Sequence, residues 1–504
     1  VADPSAFNYD HQSFTLRAVT DPALSDEWSS PRTQVIQRND RSLSGNTVSA
    51  DSAPQQSPPH GKGGAGRELR AATIEEPVNI RTALRSSSAL WVAPAALGIT
   101  ILYYVKSGSG LTFIQDYGWA PTLVSEPLRS AYAFAYGVAS ALGAWESGRL
   151  RRGAVWDLAP VRSRYTIAAQ ALFPVVLLTW LMLLAPVCAA LVQDGVLPTP
   201  VSLRPLVLGL LLCVAHAVIG FAVGTRVPAV IAAPVLAVVV WLIVATSHAT
   251  SVPWRRHMLG EYSVALEYGE TATLSSIVAE ILPTLALAIG LALLWLPLRH
   301  VLPRVSLAIA VAVSGSGIAY TMVNDWGTAP PLNTAQAPMR CAGTAPRVCM
   351  PEATVGDIEA VRAEVTTAVD DLVALGITDT RPGTVTDSLT DGRHKAPSTV
   401  GTWRLGLTSG ERQGTVRYRV VLEAVDFPCT RPDPHAARTA TMWLAERTGV
   451  TAAYEADLRH DDLSFGEPQR QALHETIEPV LALPENEQLS WYGQALDDAC
   501  GAAA

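Results

Sequence analysis

Seven stretches of this chain are too apolar, over too great a length, to fold as ordinary surface elements in water: 88–105, 131–145, 166–192, 206–223, 229–247, 276–298 and 305–322. A helix crossing the hydrocarbon core needs about 20 mostly apolar residues. Only a helix or a closed barrel satisfies its own backbone there. The spacing therefore predicts a membrane helical bundle of about six plus one spans. The second stretch is short and Ala-rich; an earlier start near Leu123, with Pro127 as a break, is the alternative.

Charged residues are 16% of the chain and hydrophobic ones 49%, an average over unlike regions. Residues 1–80 are polar and rich in Ser, Pro, Asp and Gly. Such a segment buries too little apolar surface to offset chain entropy and is expected to be a disordered leader. Residues 1–77 are expected to have no structural role, because Val78 opens a run that reads as the start of a membrane protein. Residues 81–323 form the transmembrane region, 324–340 a linker with its Pro-rich part at 327–338, and 341–504 a soluble domain. From residue 324 onward there are 26 Asp and Glu against 15 Lys and Arg, a balance of −11. The net charge of −8 thus belongs mainly to the tail, and no basic stripe points to nucleic acid.

Basic residues beside the spans predict the orientation. Arg81 and Arg85 precede the first span, five arginines fill 146–165, Arg226 lies in 224–228, and Arg299, His300 and Arg304 sit in the last short turn. Lys106, Arg129, Arg255 and Arg256 on the other side are mixed with acids. This arrangement puts the N-terminus inside a cell membrane and, after an odd number of crossings, the tail outside. Cysteines give an independent reason. Cys188 and Cys213 lie within spans as apolar filler, whereas Cys341, Cys349, Cys429 and Cys500 all follow the last span. Four soluble cysteines suit an oxidising compartment and two disulfides. Cys341–Cys349 closes a short loop and Cys429–Cys500 ties the terminal helix to a strand. Three connectivities exist, and a zinc site competes, though no close ligand pair occurs.

The segment between the second and third spans carries Glu146, Arg149, Arg151, Arg152, Gly153, Asp157, Leu158, Pro160, Arg162 and Arg164. Residues 154–159 have room for one or two helical turns, which Pro160 ends. Val155, Trp156 and Leu158 are its apolar knobs. A short helix held across the membrane face can carry a push from a docked motor. The competing reading is attraction of the arginines to anionic lipid. The segment resembles the cytoplasmic loop between the second and third spans of type 2 ABC exporter permeases. In that family a Glu leaves the membrane, a basic-Gly step follows, and a short helix ends in Pro and a basic residue. Glu146, Arg152, Gly153, Asp157, Leu158, Pro160 and Arg164 occupy the matching places. The resemblance covers the loop and a six-span body to about Leu298, and neither the seventh span nor the tail.

That resemblance implies an ATPase-coupling loop and a permease chain that is not itself an enzyme. It also implies a homodimer or heterodimer of such chains in the bilayer, and ATP hydrolysed by a separate ABC ATPase subunit. No cofactor is expected in this chain. Gly61-Lys62-Gly63-Gly64 lacks the frame of a phosphate loop. A membrane anchor presenting an extracytoplasmic binding or sensory domain is the alternative. Inside the spans, Gln170 and His216 are candidates for a path or an interhelical contact. Glu280 is expected to reach the interface, and Gly220 with Gly224 forms a small-x-x-x-small step.

The tail reads as a small extracytoplasmic α+β domain. Residues 355–375 place Ile358, Val361, Val365, Val369 and Leu372 on one helical face. Residues 415–425 alternate Val416, Tyr418, Val420 and Leu422 against Arg417 and Arg419, the pattern of a half-buried strand. Trp403-Arg404-Leu405 is expected to be its neighbour across a turn at Ser409-Gly410. Helices are expected at 434–447, 468–483 and 487–499. His474-Glu475 is not a zinc helix, and no Gly-x-Ser-x-Gly elbow occurs. Asp457, Asp461, Asp462 and His460 read as a solvated acidic turn rather than a calcium loop.

Overall fold

A computed structural model describes residues 87–108, 117–157, 163–262, 264–297, 299–378, 381–462 and 465–501. The leader read at 1–80 lies outside the described residues. Seven long helices come first: α1 (Ser88–Gly108), α2 (Ala120–Arg152), α3 (Arg164–Gln193), α4 (Arg204–Gly224), α5 (Ala229–Ala245), α6 (Leu274–Leu293) and α7 (Val301–Val323). Six helices, all of these but α2, are long and apolar enough to cross a membrane. Their flanks expose large apolar side chains such as Trp91, Leu102, Val230 and Ile309, which is what lipid covers.

α2 is the exception, and its position explains why. It is one helix of 33 residues, not a short span from 131, and it runs unbroken through Pro127. At 1.5 Å per residue it is about 50 Å long. Two-thirds of its residues are buried, against α1, α3, α4 and α5. A helix wrapped by helices rather than lipid need not be apolar, which is why hydropathy alone underrates it. Neighbouring helices also make an internal proline tolerable.

Close approach of α2 and α4 depends on small residues. A Cβ on Gly220 would lie 2.0 Å from the Ser140 carbonyl oxygen, and one on Gly224 would lie 2.4 Å from that of Ala144. Gly143 returns the contact, 2.4 Å from the Ala217 oxygen. The small-x-x-x-small step is therefore a true packing seam.

Helix directions alternate, so the bundle has two distinct ends. Tyr165, at the start of α3, donates to the Ala292 carbonyl near the end of α6 at 2.8 Å. This end also holds the C-terminus of α2. At the other end Tyr104 of α1 bonds Gln193 of α3 at 2.8 Å. Arg204 of α4 there reaches the Ala272 carbonyl at 2.6 Å. The connection between α5 and α6 and the exit of α7 into the tail share this second end.

The C-terminal domain is α+β. After β1 (Thr271–Ala272) and β2 (Leu332–Asn333), which pair antiparallel, a four-stranded sheet has the order β3 (Met339–Ala342), β4 (Arg347–Pro351), β5 (Thr384–Asp387), β6 (Thr402–Leu405). β3 and β4 are antiparallel; β4, β5 and β6 run parallel. α8 (Ile358–Ala374) forms the crossover from β4 to β5. It starts where Asp357 accepts from the Glu359 and Ala360 N–H groups, and buries Val361, Val365, Val369 and Leu372. α9 (Leu407–Gln413), α10 (Val416–Glu423), α11 (Pro434–Thr448), α12 (Thr451–Asp461), α13 (Glu467–Leu481) and α14 (Glu485–Gly501) follow. Trp443, Met350, Val385 and Ile477 lie in one core.

The strand expected at 415–425 is helix α10 instead, and Ser409-Gly410 lies inside α9 rather than in a turn. Val416 with Val420, and Tyr418 with Val421, are buried at helical spacings, so a short segment satisfied both periods. The neighbour of β6 is β5. The acidic cluster lies at the end of α12 rather than in a turn. Asp457 accepts from the Tyr418 hydroxyl at 2.6 Å and Asp462 pairs with Arg438 at 2.8 Å.

The disulfides join Cys341 to Cys349, facing residues of β3 and β4, and Cys429 to Cys500. Cys429 is in a loop after α10, so the second bond anchors α14 to that loop and not to a strand. Cys213 is buried and Cys188 exposed.

Candidate functional site

At the first end, α2 extends past Trp145 and carries Arg149, Arg151 and Arg152 on its last turn. Glu146 does not leave the bundle. It is fully buried and accepts from the Ser88 backbone N–H at 2.9 Å, the Ser88 hydroxyl at 2.7 Å and the Ser87 hydroxyl at 3.3 Å. Arg149 pairs with it at 2.9 Å. A carboxylate there satisfies the Ser88 N–H that begins α1 and complements the helix dipole. Glu146 is thus a cap contributed by another helix, a departure from the loop pattern that the sequence resembles.

Arg151, Arg152, Gly153 and Asp157 are exposed, and Arg152 lies 5.5 Å over the Trp145 ring. Residues 153–157 form turns, not the short helix expected from 154, and Ala154 has φ 48°. Val155 and Trp156 are half-buried beneath them. Arg164 opens α3, where the Ser163 hydroxyl accepts from the Thr166 N–H at 3.2 Å. Leu158, Pro160 and Arg162 lie outside the described residues. The result is an exposed cationic turn at the tip of the bundle's most enclosed helix.

Inside the bundle, His216 stacks on Tyr136 at 4.8 Å and meets the Ser140 hydroxyl at 3.2 Å. Tyr132 stacks on Tyr136 at 5.7 Å. Glu280 is 1% exposed and so does not reach the interface as expected. Gln170 is half-buried. Among the described residues no group of three His, Cys, Asp or Glu side chains is arranged to hold a metal.

At the opposite end the C-terminal domain is clamped to the connection between α5 and α6. Arg393 reaches Glu270 with Nε at 2.9 Å and Nη2 at 2.7 Å, and also donates to the Ala265 carbonyl. The Arg393 and Glu267 backbone N–H groups donate to the same carboxylate, each at 2.9 Å. Burial alone would raise the pKa of Glu270; the hydrogen bonds from Arg393 and Glu267 outweigh it and hold the group below the usual range. Two glycines with positive φ let the chains meet. A Cβ on Gly392 would lie 2.5 Å from the Glu270 side chain, and one on Gly269 would lie 2.4 Å from the Thr390 oxygen.

Beside this clamp is a cavity of about 500 Å³. Tyr117, Glu267 and Tyr268 line its membrane side; Asp387, Thr408, Lys395 and Arg419 line its domain side. Burial raises the Asp387 pKa, against hydrogen bonds from the Thr408 hydroxyl and the Leu389 and Thr408 N–H groups. Burial, with Asp387 nearby, pushes the Tyr268 phenol up to about 12. Sequence reasoning missed this junction. Glu270 and Arg393 each follow a glycine, but nothing in a linear pattern pairs residues 123 positions apart.

Residues 348–499 match the model of a family described as a Domain of unknown function (DUF7224). The match lies within the C-terminal domain and leaves the helical bundle outside it. No curated protein and no solved structure matches the chain. The chain is a multi-pass α-helical membrane protein whose disulfide-bonded C-terminal domain resembles that uncharacterised family.

Proposed function

We propose that this chain is the membrane-spanning permease subunit of an ABC-type exporter, driven by a separate ATPase. The arginine end faces the cytoplasm and the C-terminal domain lies outside the cell. One observation carries the reading: Arg151 and Arg152 are exposed at the tip of α2, the helix most enclosed by its neighbours. A force applied at that tip reaches α3, α4 and α5 directly, as a coupling element requires. Cations at a helix C-terminus also complement the helix dipole, and they suit an acidic docking surface. The disulfides agree with an oxidising exterior.

The test is affinity purification of the full chain in mild detergent, followed by mass spectrometry. A phosphate-loop ATPase is expected to co-purify with it. Arg151→Glu with Arg152→Glu is expected to abolish that association while the protein stays in the membrane at its usual level. Absence of any ATPase, or its retention by the double variant, defeats the reading. A second reading, a membrane anchor presenting an extracytoplasmic sensory domain, is favoured by the buried clamp. That contact ties the domain to the connection between α5 and α6, whether or not a motor docks.

A further inference from the structure

We propose that the cavity beside the clamp binds a small zwitterion of amino-acid or short-peptide type. Its carboxylate would be held by Arg419 and Lys395, and its amine would face Glu267. Three independent observations converge on this site. First, topology: Asp387 ends β5, and Gly406 and Thr408 follow β6, so the cavity lies outside the carboxyl ends of parallel strands. Open parallel sheets bind ligands there, because loops diverge from the strand ends and leave a crevice. Second, size: about 500 Å³ falls within the range of roughly 300–1,000 Å³ typical of small-molecule pockets.

Third, the charges are divided between the walls. Arg419 and Lys395 stand on the domain side and form no ion pair among the described residues. The Arg419 Nε and the Tyr268 hydroxyl are buried without hydrogen-bond partners. Asp387 already accepts from Leu389 and Thr408, so its carboxylate is committed to the domain's own fold. Glu267, on the opposite wall, accepts no side-chain hydrogen bond and forms no ion pair among the described residues, although the charges of Arg393, Lys395 and His394 are close enough to act on it. A simple anion would leave Glu267 facing it unfavourably, and a simple cation would meet Arg419 and Lys395. A solute carrying both charges complements both walls. Tyr268, whose ring centroid is 6.1 Å from that of Tyr117, supplies aromatic surface for the remainder; one face of Tyr117 is already covered by the Arg412 guanidinium at 4.2 Å.

The experiment uses the full-length protein in detergent and needs no ATPase, so its failure leaves the reading of the arginine end untouched. Melting temperature is followed while titrating the twenty protein amino acids, glycylglycine and alanylalanine. Acetate, methylammonium and inorganic phosphate serve as comparisons at equal ionic strength. At least one zwitterion is expected to raise the melting temperature saturably, with acetate and methylammonium inert. Glu267→Gln and Arg419→Gln are each expected to weaken the apparent Kd at least tenfold. Lys395→Gln, at an exposed position, tests the cationic wall where folding is not at stake and is expected to weaken it severalfold. Three results overturn the proposal: no zwitterion shifts the transition, acetate or phosphate matches the best zwitterion, or Lys395→Gln and Glu267→Gln bind as tightly as the parent.

Discussion

Replacing Arg393 with Met should release the C-terminal domain from the membrane-side connection. Glu270 is fully buried, and Arg393 supplies two side-chain hydrogen bonds to it with 24% of its own side chain exposed. Removing one partner of such a pair leaves an uncompensated buried charge and costs about 3–5 kcal/mol. At about 1.4 kcal/mol per tenfold, local opening should rise by roughly two to nearly four powers of ten. Hydrogen exchange read by mass spectrometry should show it in residues 265–272 and 389–393, with the domain core around Trp443 unchanged. The double variant Arg393→Met/Glu270→Leu should recover most of the protection, because it buries no lone charge. The pH dependence has a definite sign. Glu270 titrates below its ordinary 4.5 when folded. The clamp's contribution is therefore complete above about pH 4.5 and disappears as pH falls through the folded value. Exchange in Arg393→Met equal to the parent's would refute the reasoning, as would a double variant no better than the single.

Two further outcomes follow from packing. Gly220→Val should lower the melting temperature of the detergent-solubilised protein sharply, by more than the ~1–3 kcal/mol of ordinary overpacking, because the obstacle is the Ser140 carbonyl; Gly98→Ala, with nothing within 4 Å, should leave it unchanged. Cys429→Ser should reduce the stability of the C-terminal domain by about 2–4 kcal/mol in chemical denaturation, since the bond closes a separation of 71 residues, whereas Cys188→Ser should be close to neutral.

How much of this was legible beforehand depended on whether the signal was periodic or pairwise. The long apolar helices declare themselves, because lipid imposes composition residue by residue. α2 was legible only in part: its enclosed surface is small and polar enough to resemble an ordinary helix, so the stretch before residue 131 entered only as an alternative start near Leu123, with a break at Pro127 that the helix does not have. The face of α8 is a clean 3.6-residue repeat and survives intact. α10 is only eight residues, too short for its burial pattern to separate helix from strand, and tertiary context decided it. Cys341 and Cys349 were readable from proximity. The Glu146 cap, the Arg393–Glu270 clamp and the cavity each join residues dozens to more than a hundred positions apart. Such meetings depend on the completed fold.

A permease driven from the cytoplasm requires the exposed arginine turn of α2 and the disulfide-bonded domain to lie on opposite sides of one membrane. Alkaline phosphatase and green fluorescent protein, fused separately after Ala504 and expressed in intact bacterial cells, report that directly. An active phosphatase fusion and a dark fluorescent one are predicted. A bright fluorescent fusion with an inactive phosphatase would contradict the orientation, and with it both the permease reading and the extracytoplasmic pocket.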